Sequence, residues 1–202
     1  SIAAFVDSDG VPHFCHGIVG LKNAQDRGVD DNYLYSRTLP VDLPSTLTEE
    51  MFAVAKKGIE ALKMRSVPAH VEIIAGPSGV KIVEIGARIG GYRPRMYRYS
   101  YGIDLIAQEV NLSLGRLPEL DGSPVAFCAV YELFPGKEGV FKELVGTYDP
   151  NLFTYYRVSA KVGEKTGPAK NGFKAAANII ISTGDKTLFD ELCHQVETIR
   201  VE

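Results

Sequence analysis

No run of about eighteen apolar residues occurs anywhere in the chain, so no transmembrane helix is expected. The opening Ser1-Ile2-Ala3-Ala4-Phe5 has neither an initiator Met nor the positively charged start of a secretory leader, so no signal peptide is read there. A chain that begins inside a strand-like run is expected to be part of a longer protein. Cysteine is scarce: Cys15, Cys128 and Cys193 are odd in number and far apart, which argues against a disulfide framework. With no CxxC pair, a structural zinc site is not expected, and the reducing cytoplasm is the expected location. Charge of one sign is also lacking. A net charge of −3 gives no global attraction to nucleic acid. Neither a Walker A loop nor a Ser-His-Asp pattern is present.

What is present suits a packed α+β chain, 45% hydrophobic and 23% charged. Residues 2–7 read as a strand, Asp7-Ser8-Asp9-Gly10 as a turn, and 11–20 as the returning strand. Residues 22–36 are polar and read as a loop. A helix is expected over 48–64, with Thr46 and Glu49 as a capping box and Leu47, Met51, Val54, Ala55 and Leu62 near helical spacing. Strands are expected at 69–76 and 80–86. A helix over 104–114 should stop at Gly115. Leu117-Pro118-Glu119-Leu120-Asp121-Gly122 is the clearest boundary. Strand-like runs at 124–134, 139–146, 153–162 and 173–182 follow, then a helix over 185–199 with Leu188, Leu192, Val196 and Ile199 on one face.

The segment from His70 to Arg88 carries the chemistry. Side chains alternate between the faces of a strand. Val71 and Ile73 with Val83 and Ile85 then make an apolar face. His70, Glu72 and Ile74 with Ile82, Glu84, Gly86 and Arg88 make the other. A three-residue Pro77-Ser78-Gly79 loop, with Gly79 left-handed, would pair Gly76 with Val80, Ile74 with Ile82, and Glu72 with Glu84. Like charges so placed destabilise a sheet unless something positive intervenes. Arg88 is one candidate and a divalent cation the other, since magnesium is typically held by one or two carboxylates plus phosphates. The plain alternative is a solvated hairpin with two surface glutamates. A four-residue loop would put them on opposite faces.

The run His70-x-Glu72, a short hairpin, then Val83-Glu84-Ile85-Gly86-Ala87-Arg88-Ile89-Gly90-Gly91 resembles the end of an ATP-grasp catalytic domain. The Glu-x-x-x-Arg-x-Gly-Gly pattern is that of the L-amino-acid ligase and carnosine-synthase-like branch. The resemblance covers about residues 1–115, and Phe134-Pro135-Gly136-Lys137-Glu138-Gly139 resembles the small C-terminal domain of the same branch. It implies a C-terminal subdomain of the ATP-grasp fold over 1–116, an antiparallel sheet with helices, and a small α+β domain over 117–202. It implies ATP with Mg²⁺ (or Mn²⁺), the metal held by Glu72 and Glu84. Arg88 would be catalytic and help hold an acyl phosphate or substrate. Gly90, Gly91, Arg93 and His70 would complete a substrate- and phosphate-binding set. The implied activity is ATP-dependent ligation of a carboxylate to an amine, on amino-acid-like substrates.

The pattern departs from the family at Gly86, where many members carry a metal-binding Asn. The adenine-binding hinge and lysine-bearing subdomain would lie before Ser1, so these residues alone are expected not to catalyse. The expected partners are ATP, small carboxylate and amine substrates, and the N-terminal half of the same protein. Homodimerisation stays open, and neither nucleic acid nor membrane is expected. Rival readings are a non-catalytic metabolite-binding module and a biotin-carboxylase-like or carbamoyl-phosphate-forming relative.

Other segments weigh less. The run from Tyr92 to Tyr101 interleaves arginines with tyrosines, a pattern seen at single-stranded nucleic acid. The acidic balance disfavours that here, leaving a loop packed on the sheet or one that covers an acceptor site and binds anions through arginine forks. His13 and Cys15 share a strand face while His16 points away, so a metal site from the three is not expected. His70 would lie across from Gly86, either as a hydrogen-bonded histidine or orienting Glu72 or substrate. Glu72 and Glu84 could imitate a glycosidase pair, but no other feature supports a sugar cleft.

Overall fold

The computed structural model describes residues 1–31 and 33–202. In chain order the elements are β1 (Ile2–Val6), β2 (Pro12–Phe14), β3 (Gly20–Asn23), β4 (Leu34–Leu39), α1 (Ser45–Ala61), β5 (Val67–Gly76), β6 (Gly79–Gly86), α2 (Arg93–Tyr101), α3 (Leu105–Ser113), β7 (Phe127–Leu133), β8 (Gly139–Val140), β9 (Leu144–Val145), β10 (Tyr155–Val158), β11 (Lys165–Thr166), β12 (Ala177–Thr183), α4 (Lys186–Thr198) and β13 (Arg200–Val201). The arrangement is α+β. The chain forms two compact units, Ser1–Gly20 with Leu39–Val125, and Leu21–Thr38 with Ala126–Glu202. The sequence expectation put the division at 116/117. Leu120 is buried, and the Val125 amide donates to the Ser100 carbonyl at 2.8 Å.

The first unit is built on an antiparallel sheet in the order β2-β1-β5-β6. All five residues of β1 are buried, as an apolar strand covered on both faces should be. Ile2, Ala4 and Val6 pack with Met51, Ala55 and Ile59 of α1 and with Ala69 and Val71 of β5. α3 packs against β1 and β5.

Helix α1 starts three residues earlier than the sequence suggested. Pro44 occupies the N-cap position, and no side chain caps the helix. Proline serves there because its missing N–H would have no intrahelical partner. The buried spacing is Met51, Ala55, Ile59, and Leu62, expected on that face, is 60% exposed. Gly58, mid-helix, looks unfavourable by propensity. A methyl group there would overlap the Cδ1 atoms of Ile82 and Ile85, so helix and sheet approach closely at this point.

The segment expected as a tyrosine- and arginine-rich loop folds as α2. Pro94 sits in its first turn, and Gly102 closes it with a φ of 70°. Arg93, Met96, Tyr97, Ser100 and Tyr101 form its buried face, a helical spacing. The Tyr97 hydroxyl donates to the Gly17 carbonyl at 3.2 Å, and Ser100 Oγ donates to the Leu39 carbonyl at 3.1 Å.

The second unit holds a sheet in the order β10-β12-β7-β4-β3, with α4 packed on β7 and β12. Ala129, Tyr131 and Leu133 alternate inward from β7, as do Ala177, Ile179 and Ile181 from β12. The loop expected over 22–36 in fact takes in the end of β3, a 3-10 turn at Gln25–Arg27 and the first half of β4; its Asn32 lies outside the described residues. Tyr35 on β4 is buried in this core. On α4 Phe189, Leu192 and Val196 face inward, and Leu188, expected on that face, is exposed. The runs expected at 139–146 and 153–162 hold only short strands.

Asp31 pins this unit together. It is buried, and its carboxylate accepts the backbone N–H groups of Ala169 and Lys170 at 2.8 and 2.9 Å. It thereby caps the short 3-10 turn Ala169–Asn171 from far away in sequence. Replacing Asp31 with alanine strands two amide donors, so a loss of about 1–3 kcal/mol is expected in urea unfolding. An unchanged midpoint would show that water replaces the cap at no cost.

Candidate functional site

The site grows from the β5–β6 hairpin. Gly79 takes the expected left-handed conformation, φ 89°. The ladder nevertheless starts with Gly76 opposite Gly79, so Ala75 faces Val80 and Ile73 faces Ile82. That is one residue out of the expected register. A bulge between Glu72 and Ile73 then absorbs Val83, and Glu72 falls opposite Glu84 after all. The same bulge exchanges the faces of two neighbours. Ile82, expected beside the carboxylates, packs into the core with Ile73 and Ile85, while Val83 is 64% exposed.

The two carboxylates differ in their surroundings. Glu72 is largely shielded, and its Oε1 accepts from Nε2 of His70 at 3.1 Å. Glu84 is half exposed, with Arg88 Nη2 at 3.8 Å from its Oε1. An ion pair so exposed is worth little to stability, so Arg88 offsets the repulsion only in part. Arg88 also donates to the Ile89 carbonyl at 3.3 Å.

His70 faces Gly86 across the ladder and is buried. Burial, then the nearby Arg93 guanidinium, push its pKa down to about 4, against a raising effect of Glu72. Arg93 is buried too, 2% exposed, its Nη2 donating to Ser1 Oγ at 2.8 Å. Gly90 lies against His70 and Arg93, and nothing lies within 4 Å of where a Gly91 side chain would stand. At Gly86 the nearest atoms to an added Cβ would be those of the Arg88 side chain, at 3.5 Å and beyond, so the backbone has room for a side chain there.

The donor set suits a hard cation. Magnesium takes oxygen ligands and commonly uses one or two carboxylates with phosphate and water completing its shell. Among the described residues no group of three or more His, Cys, Asp or Glu side chains is gathered for a metal. The two opposed glutamates therefore fit a metal shared with phosphates and do not make a closed protein cage.

The remaining candidates fall away from the site. His13 Nε2 lies 2.9 Å from Asp7 Oδ2. All three cysteines are free, and burial pushes Cys15 and Cys128 up to about 12 and Cys193 to about 11, far from a reactive thiolate. Among the described residues no helix is long and apolar enough to cross a membrane.

What sequence reasoning missed was the contact between Gly90 and His70. Only the adjacency of two glycines just before a proline-marked helix start hinted that the chain passes close to something there.

No family model matches the chain. Carnosine synthase 1 of Gallus gallus is 34% identical over 88 residues, 43% of this chain and 10% of that protein. The 3-methyl-D-ornithine–L-lysine ligase of Methanosarcina mazei is 30% identical over 104 residues, 52% of this chain and 27% of that protein. Among solved structures, L-amino acid ligase from Bacillus licheniformis superimposes with a TM-score of 0.79 at 17% identity, over 100% of this chain and 52% of that one. The chain thus spans about half the length of that ligase, and the matched stretches cover about a quarter or less of the curated relatives. Ligases stand both among its sequence relatives and among the structures that share its fold, and the chain has the fold of the C-terminal part of an ATP-grasp ligase.

Proposed function

We propose that this chain supplies the metal and phosphate side of an ATP-dependent carboxylate–amine ligase that works on amino-acid-like substrates. The observation that carries the reading is the pairing of Glu72 with Glu84 across a bulged hairpin, with Arg88 beside Glu84. Glu72 and Glu84 would hold Mg²⁺ or Mn²⁺. The metal, when bound with ATP, neutralises phosphate charge and aligns the group to be transferred. In this reading the substrate carboxylate takes the terminal phosphoryl group with ADP leaving, and an amine then displaces phosphate from the acyl phosphate. Arg88 offsets the negative charge that develops on the transferring group. Gly90 and Gly91 let backbone approach the substrate closely. The adenine pocket and phosphate-binding lysines come from protein outside these residues, and the 202 residues alone do not turn over.

A second reading is a module that binds nucleotide or metabolite without turnover. Gly86, which offers no side chain where relatives of this type often place a metal-binding Asn, favours it. The test is phosphate release from ATP and Mg²⁺ by the full-length protein against a panel of amino-acid pairs. Release that depends on a particular pair supports the ligase. Tight ATP binding with no release across the panel favours the module.

A further inference from the structure

We infer that Gly90, His70 and Glu72 form a positioning relay, in which the backbone at Gly90 sets the imidazole and the imidazole sets the metal-binding carboxylate. The inference rests on the assignment of Glu72 to the metal made above.

The hydrogen-bond chemistry fixes the direction of the relay. An ionised carboxylate only accepts, so the His70 nitrogen 3.1 Å from Glu72 Oε1 must carry the proton. That nitrogen is Nε2. The other ring nitrogen, Nδ1, is the one turned away from Glu72. Nδ1 is buried and has no hydrogen-bond partner among the described residues. What faces it is Gly90. A Cβ there would stand 2.7 Å from Nδ1, 2.9 Å from Cε1 of the same ring and 2.9 Å from Arg93 Cγ. Gly90 is not left-handed, so its need for glycine is a matter of space.

A buried polar atom without a partner is costly. Here it accompanies a ring wedged between a loop backbone and a carboxylate. His70 holds Oε1 alone, which leaves Oε2 of Glu72 for a cation. Partners behind metal ligands commonly fix ligand orientation in this way, and losing one typically costs about 10–100-fold in metal affinity or activity. His70 is thus a positioning residue acting through Glu72, and Gly90 acts through His70.

The test is Mn²⁺ binding to the full-length protein in the presence of ADP, followed by electron paramagnetic resonance, with Mn²⁺ activation of phosphate release measured alongside. His70→Leu should raise the Mn²⁺ Kd about tenfold. His70→Gln, whose amide can place a donor near the position of Nε2, should recover most of that loss. Gly90→Ala should match His70→Leu, and the double variant should be no worse than either alone, because both act on one contact. A purely structural role for His70 would lower the unfolding midpoint without separating Gln from Leu in Kd. If Glu72→Ala weakens Mn²⁺ binding while His70→Leu does not, the relay is overturned and the metal reading stands. If the Gly90→Ala and His70→Leu losses multiply, the link through Gly90 is overturned. If Glu72→Ala itself leaves the Kd unchanged, relay and metal reading fall together.

Discussion

Glu84→Ala should reduce substrate-dependent phosphate release by about two to three orders of magnitude, the scale on which removal of one preorganised electrostatic contact acts on a transition state. Among the described residues Glu84 has no donor closer than Arg88 at 3.8 Å, and it stands opposite a second carboxylate. A carboxylate in that position weakens the hairpin unless a cation joins it. The variant should accordingly fold at least as well as the parent, because a like-charge pair disappears. Loss of phosphate release with an unchanged or raised unfolding midpoint is the expected pairing. Full activity in the folded variant would remove Glu84 from the site, whatever reaction the protein performs. Glu84→Gln separates charge from shape: it keeps one acceptor oxygen and loses the charge, and should stay close to alanine in rate.

The second large effect concerns stability. Gly17→Ala should destabilise the first unit by about 2–4 kcal/mol, combining a left-handed backbone penalty with overpacking. Gly17 has a φ of 76°, and a methyl group there would overlap the Tyr101 hydroxyl, stand 2.9 Å from Cζ of that ring and 3.1 Å from Leu39 Cδ1. Tyr101 is buried and lies 5.9 Å from Tyr97 ring to ring, and the Tyr97 hydroxyl donates to the Gly17 carbonyl. The ring therefore cannot retreat without disturbing α2. Urea unfolding provides the measurement. Adding Tyr101→Phe removes the clashing oxygen and should return part of the loss. A cost within about 0.5 kcal/mol of zero, the range of neutral surface changes, would mean the backbone relaxes freely at this turn.

Much of the hairpin was legible because strands obey a period of two. His70 opposite Gly86 and Glu72 opposite Glu84 both follow from the sequence once a turn is placed at Pro77-Ser78-Gly79. The route to that pairing was nevertheless different. The ladder begins one residue nearer the tip, and Val83 makes up the difference. Nothing local distinguishes Ile82 from Val83 as the inward residue. That choice is made by α1, where Gly58 leaves space for the Ile82 and Ile85 side chains. Helix α2 was hidden for another reason. Its buried face includes Arg93, Tyr97 and Tyr101, which read as binding groups until they are seen to be packed. The spacing of Arg93, Met96, Tyr97 and Ser100 behind Pro94 was the available signal. In the second unit β4 was obscured because it runs on through Ser36, Arg37 and Thr38, and the burial of Tyr35 depends on β7 and α4, far along the chain.

The extra residue at Val83 has a consequence for how such a chain can change. The hairpin tip displaces the pairing by one residue, and Val83 displaces it back before Glu84 is reached. The two stand to each other as a frameshift and its suppressor. With the two-residue turn kept, a residue gained at the start of β6 would turn Glu84 toward α1 and Ile85 toward water. The same gain accompanied by loss of Val83 leaves both glutamates on their original surface. An insertion at the start of β6 and a deletion at Val83 therefore offset each other, and this hairpin can vary in outline while its two carboxylates keep the same address.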